Sequence, residues 1–193
     1  MKKKTMKNEQ LIDKENVEYG KFWGRALAYL ADGVILLLIS LPITYLNITE
    51  YKSFNLYLII AIVGVLYKPI LEFYFGATIG KYLLGLKVTD RNYNKMSLSQ
   101  SFLRSLILTL PSALFIPVFY LVFKNPDILK INSFMEYSQA VNLSYPIQNY
   151  ISYVIQLILV IEIIILLTDK SKTQRALHDR IGGTFVVRTK IGK

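Results

Sequence analysis

The sequence predicts an all-α membrane protein: four transmembrane helices, both termini in the cytosol, and a small cytosolic β hairpin or sheet. Three observations carry this. Hydrophobic residues make up 53% of the 193-residue chain and charged residues only 19%, below the quarter usual in soluble proteins. Apolar windows recur at about 20 residues, the length that crosses a bilayer core as a helix. Basic residues gather at alternate connections, as they do where loops stay in the cytosol.

The elements follow in order. Residues 1–23 read as a basic cytosolic tail, since they are polar and contain no small-residue cleavage motif. The membrane domain runs over 24–188, with spans expected at about 24–46, 55–75, 101–123 and 150–168, and residues 189–193 as a short tail. Pro111 and Pro117 lie within the third span and predict kinks, because proline removes a backbone donor that neighbouring helices must make good. The loop 124–149 shows no fold signal. Two N-x-S/T triplets, at Asn47 and Asn142, are read as chance. No internal repeat is visible, so an inverted-repeat transporter core is unsupported.

Orientation follows from Lys and Arg. The tail through Lys21 carries 6, the 77–100 linker 4, and the segment after Thr168 carries 7. The remaining connections hold only Lys52, Lys124 and Lys130. The net charge of +10 is therefore a matter of topology and anionic lipid on the cytosolic side, and no nucleic-acid partner is implied.

Six ionisable residues fall inside the spans: Arg25, Asp32, Lys68, Glu72, Arg104 and Glu162. At a rise of ~1.5 Å per residue, Asp32 lies ~10–12 Å from the cytosolic end of its span and Glu162 ~9–10 Å from the same face. Lys68, Glu72 and Arg104 fall in that half too. One charge at a helix centre costs ~2.5–3.5 kcal/mol on insertion scales, so a shared depth and mutual neutralisation are expected. Arg25 and Asp32 are within ~20° of one helix face but two turns apart, so each should pair across helices, Asp32 with a group such as Arg104 or Lys68. Lys68 and Glu72, at i and i+4, could meet directly. Ser101, Arg104, Ser105, Pro111 and Ser112 form a polar stripe along the third span. With outer halves almost wholly apolar, these residues predict a polar cavity open to the cytosol.

Two segments flank the membrane. FGATIGKYLLGLKV lacks the GxxxxGK[ST] frame of a phosphate loop, so nucleotide binding is not expected. Residues 78–86 should form an interfacial helix with Tyr82, Leu83 and Leu86 toward lipid. LKVT, DRNYN and KMSL read as strand, turn and strand, and GGTFVVRTK as a further strand that could join them. His178 adjoins Asp179, but no nucleophile or second metal ligand is spaced to join them, so Asp179 reads as a capping or bracing residue at the foot of the fourth span.

Three blocks of the chain resemble the RDD family of bacterial membrane proteins, named for an Arg and two Asp. YGKFWGRALAYLADGVILLL is similar to its first-span motif and supplies Arg25 and Asp32; FGATIGKYLLGLKV resembles the second, with Gly76, Thr78, Gly80 and Lys81; QRALHDRIGGTFVV resembles the third, with His178, Thr184 and the second Asp at Asp179. The resemblance implies a multi-pass protein of the bacterial cytoplasmic membrane. A transport role, including sodium–proton exchange by some members, has been proposed for the family.

The functional expectation is ion or proton-coupled transport through the charged layer, with Asp32, Glu72 and Glu162 as candidate sites. The alternative is a non-catalytic scaffold or regulatory subunit in which the same charges only fix helix order. A homo-oligomer or membrane partner fits either. No catalytic motif, cofactor or metal set is present in the sequence: there is no cysteine, one histidine and no HExxH.

Overall fold

The computed structural model describes residues 17–189; most of the basic tail at 1–23, and residues 190–193, lie outside them. Helix α1 (Phe22–Leu46) runs into a π-helical turn (Asn47–Tyr51), and α2 (Phe54–Phe75) returns, capped by the Ser53 side chain accepting from the Leu56 N–H. The return ends at Gly76, whose φ of +73° is the left-handed conformation a helix stop favours. A short helix α3 (Ile79–Leu83) and strand β1 (Leu86–Asp90) follow. The chain then re-enters as α4 (Leu98–Ala113) and α5 (Phe115–Val122), crosses two short helices α6 (Pro126–Leu129) and α7 (Phe134–Ser144), and comes back through α8 (Ile147–Thr168) to α9 (Leu177–Gly182) and β2 (Thr184–Arg188).

Helices α1, α2 and α8 are each long and apolar enough to cross a membrane, and most of their surface faces outward, with Leu38 67% exposed and Leu157 60%. A soluble protein would not leave such a surface in water. The third predicted span is a bent pair, turning by 71° between Ile107 and Thr109. Pro111 cannot donate to the carbonyl four residues earlier, at Ile107, and the Ser105 and Thr109 hydroxyls bond back to the carbonyls of Ser101 and Ser105. At one end Ser101 donates to the Pro69 carbonyl (2.6 Å); at the other Phe119 stacks on Tyr57 with centroids 4.6 Å apart. Those two anchor points on α2 are ~18 Å apart along its axis, so the bent pair runs most of the bundle's length.

Beyond α5 the structure departs from the featureless loop that the sequence suggested. α6, α7 and the π-helical turn close over a small core of Ile48, Val122, Ile128, Tyr137 and Val141. Lys52 ties the turn to the Leu129 carbonyl and to Asn132.

At the opposite end β1 and β2 form a two-stranded antiparallel sheet with Val88 opposite Val186. The N-terminal approach to α1 extends it: Gly20 N donates to the Val186 carbonyl (2.9 Å) and Arg188 N to that of Glu18 (2.7 Å). The strand expected at KMSL does not form. Asp90 accepts the Asn92 and Asn94 N–H groups in a tight turn, and Ser97 with Gln100 then makes a capping box that starts α4, so β1 pairs with the C-terminal strand instead. Leu86 also differs from expectation. Tyr82 and Leu83 face outward, but Leu86 lies in β1 and packs with Ala28, Val88, Met96 and Val186 between sheet and bundle.

Candidate functional site: a charge-balanced layer beneath the sheet

The buried stripe of α1 is Arg25, Ala28 and Asp32, spaced to share one face. Its two charged members meet different parts of the chain. Arg25 reaches α9, with Nη1 2.5 Å from Asp179 Oδ2, and its Nε donates to the Gly20 carbonyl (2.7 Å). Asp32 meets the entry to α3. One carboxylate oxygen accepts from the Tyr67 hydroxyl and the Gly80 N–H, both at 2.7 Å, and the other from the Thr78 hydroxyl at 2.6 Å. Asp32 therefore faces protein, as its depth required, but its partners are neutral donors and not Arg104 or Lys68. The reason is local: Thr78 caps α3 through Lys81 N, so its hydroxyl and the Gly80 N–H of the first turn are already aimed at α1.

Gly80 makes that approach possible. A Cβ there would lie 2.1 Å from the Ala28 carbonyl oxygen and 2.9 Å from Asp32 Cγ, so only glycine lets α3 lie against the backbone of α1. Gly182 does the same for α9, where a Cβ would come within 2.8 Å of Arg104 Cβ.

Arg104 is the hub. It is wholly buried, lies 3.0 Å from both Glu72 Oε2 and Asp179 Oδ1, and donates to the Thr184 hydroxyl (2.9 Å). The two carboxylate contacts are charge contacts at this distance, their N–H bonds pointing off the hydrogen-bond line. Lys81 supplies the second cation on Glu72. The anticipated Lys68–Glu72 bridge does not form: Arg104 and Lys81 occupy both oxygens of Glu72, and Lys68 makes no ion pair among the described residues. Lysine preceding glutamate is also the weaker order on a helix.

Asp179 collects the rest. Besides Arg25 and Arg104 it accepts the Ala176 N–H (3.1 Å), which caps α9 and bears out the bracing role expected of it. Burial alone would push its carboxyl up, but His178, Arg104, Arg25 and Lys81 together hold it well below the carboxylate range. His178 bridges two acids, with Nδ1 2.8 Å from Glu162 Oε2 on α8 and Nε2 3.3 Å from Asp179 Oδ1. Burial holds the imidazole below its ordinary value, helped by Lys68 and Arg104 against the pull of Asp179 and Glu162.

The layer thus joins Arg25, Lys68, Lys81 and Arg104 to Asp32, Glu72, Glu162 and Asp179, four formal charges of each sign. Where an open cavity was expected, Glu72, Arg104 and Asp179 pack at 0% exposure. No group of three or more His, Cys, Asp or Glu placed to hold a metal occurs among the described residues. Tyr67 is the member that sequence reasoning missed, since a tyrosine in an apolar span carries no sign of facing inward. Lys81 and Asp179 were read as flanking motif residues and prove to be central to the layer.

Apolar helices of spanning length around a neutralised charged layer define an integral membrane protein. The three sequence blocks noted above bring Arg25 and Asp32, Lys81, and Asp179 to that layer, and the RDD family's sequence model matches residues 19–183, most of the chain. The chain belongs to the RDD family. No curated protein and no solved structure matches it.

Proposed function

We propose that this RDD protein resides in the bacterial cytoplasmic membrane with both termini in the cytosol, and that it is a non-enzymatic component carrying protons or monovalent cations. One observation supports this most: Asp32 and Glu162 have no Lys or Arg within ion-pairing distance among the described residues. Asp32 has three neutral donors, and Glu162 has only His178, which can gain or lose a proton. The other carboxylates in the layer, Glu72 and Asp179, are held by permanent cations. A carboxylate at membrane depth without a fixed counter-ion is where a proton or cation gains most by binding. The outer half is apolar and aromatic, so a route outward calls for an oligomer or a membrane partner.

Flux of protons and sodium into proteoliposomes tests the reading. Wild-type flux, reduced at least tenfold by Asp32→Asn and by Glu162→Gln, is the expected result. A scaffold or regulatory subunit is the second reading, favoured by the closed packing of Arg104, Glu72 and Asp179, which leaves no room for a solute between them. It takes over if the wild type shows no flux at all. Orientation is tested separately by reporter fusions at the C-terminus, which should read as cytosolic.

A further inference from the structure

Between α4 and α8 runs an apolar groove of about 440 Å³ walled by Leu103, Leu106, Leu110 and Ile158, with Ile181 of α9 at its sheet-side end. It follows the bend of the third span, with Leu103 and Leu106 on one limb and Leu110 on the other. The walls offer water no hydrogen-bonding partner, so hydrocarbon and not water fills such a space in a bilayer. Arg180 precedes Ile181 on α9, its side chain 51% exposed and reaching Asp169, just past the end of α8, at 3.2 Å. Lys170 and Lys172 follow the foot of α8, both exposed and without a carboxylate partner among the described residues.

We propose that this groove is a binding site for one anionic phospholipid, one of its acyl chains lying in the groove and its headgroup held by Arg180, Lys170 and Lys172. Charge selects this occupant. A second copy docking at the same place would bring its own basic face against this one, on a chain of net charge +10. An anionic headgroup instead neutralises two lysines that no carboxylate among the described residues pairs. The site is independent of the transport reading, because neither Asp32 nor Glu162 lines it.

Native mass spectrometry after detergent exchange, with phosphatidylglycerol or phosphatidylcholine added, tests the proposal. One phosphatidylglycerol should be retained where phosphatidylcholine is lost. Ile158→Trp, which fills the groove, should abolish that retention. Arg180→Gln with Lys170→Gln and Lys172→Gln should lower the preference for the anionic lipid by roughly fivefold for each charge removed. These exposed changes read out the headgroup even if the tryptophan variant fails to fold. Equal retention of both lipids overturns the proposal, as does undiminished phosphatidylglycerol binding to Ile158→Trp, which would reduce the effect to surface attraction. Leu110→Cys, in a chain without other cysteines, closes the last possibility: efficient disulfide dimers would place a second copy in the groove and end the lipid assignment.

Discussion

Replacing Arg104 with methionine tests whether the layer holds the fold together. The substitution keeps an extended side chain but removes one of four cations, leaving Glu72 to Lys81 and Asp179 to Arg25. Both carboxylates are fully buried, and breaking a buried pair by removing one partner costs on the order of 3–5 kcal/mol. For a chain of this size each kcal/mol moves the melting temperature by about 2–4 °C, so a fall of roughly 6–20 °C is expected in detergent. Adding Glu72→Gln restores formal neutrality, and the double variant should lose less than the sum of the singles by about 0.5–3 kcal/mol. Thermal unfolding followed by fluorescence of the single tryptophan, Trp23, measures all four corners of the cycle. A melting temperature within about 2 °C of wild type for Arg104→Met, or strict additivity in the double variant, would refute the reasoning.

Gly80→Ala should destabilise by about 3 kcal/mol or more, since its Cβ meets the Ala28 backbone at 2.1 Å and must push α3 off Asp32. Gly64→Ala, in open space on α2, is the control and should leave the melting temperature unchanged or slightly raised. Val88→Cys with Val186→Cys should oxidise to a disulfide, because the two positions are opposite each other across the sheet; free thiols after oxidation would count against the pairing. Stability should fall in acid in two stages. His178 and Asp179 both have folded values below their unfolded ones, so each contributes fully above its unfolded value and loses that contribution as pH falls. Loss should begin below about pH 6.5 through His178 and deepen below about pH 4 through Asp179. His178→Gln should remove the first stage, which a melting series from pH 8 to 3 would reveal.

That apolar helices of spanning length recur, three outright and a bent pair besides, and that their charges gather toward one end, was legible in the sequence, because each is set one residue at a time. Each 20-residue apolar window and each out-of-place carboxylate is a local fact, and depth follows from counting along a helix. The bend in the third span was legible for the same reason, since Pro111 acts on a carbonyl only four residues away. Partner choice was not local. Arg104 and Lys81 displaced Lys68 from Glu72 because α4 and α3 bring them there, and Asp32 turned from a salt bridge to the donors of Tyr67, Thr78 and Gly80 because Gly80 lets two backbones touch. That the C-terminal strand joins β1 was legible from two short β-branched runs that need partners; its register, with Val88 opposite Val186 98 positions on, depended on where α8 and α9 return the chain. The sequence determined which groups had to be neutralised, and the tertiary structure decided by whom, because an ion pair is set by a few ångströms that only helix packing can fix.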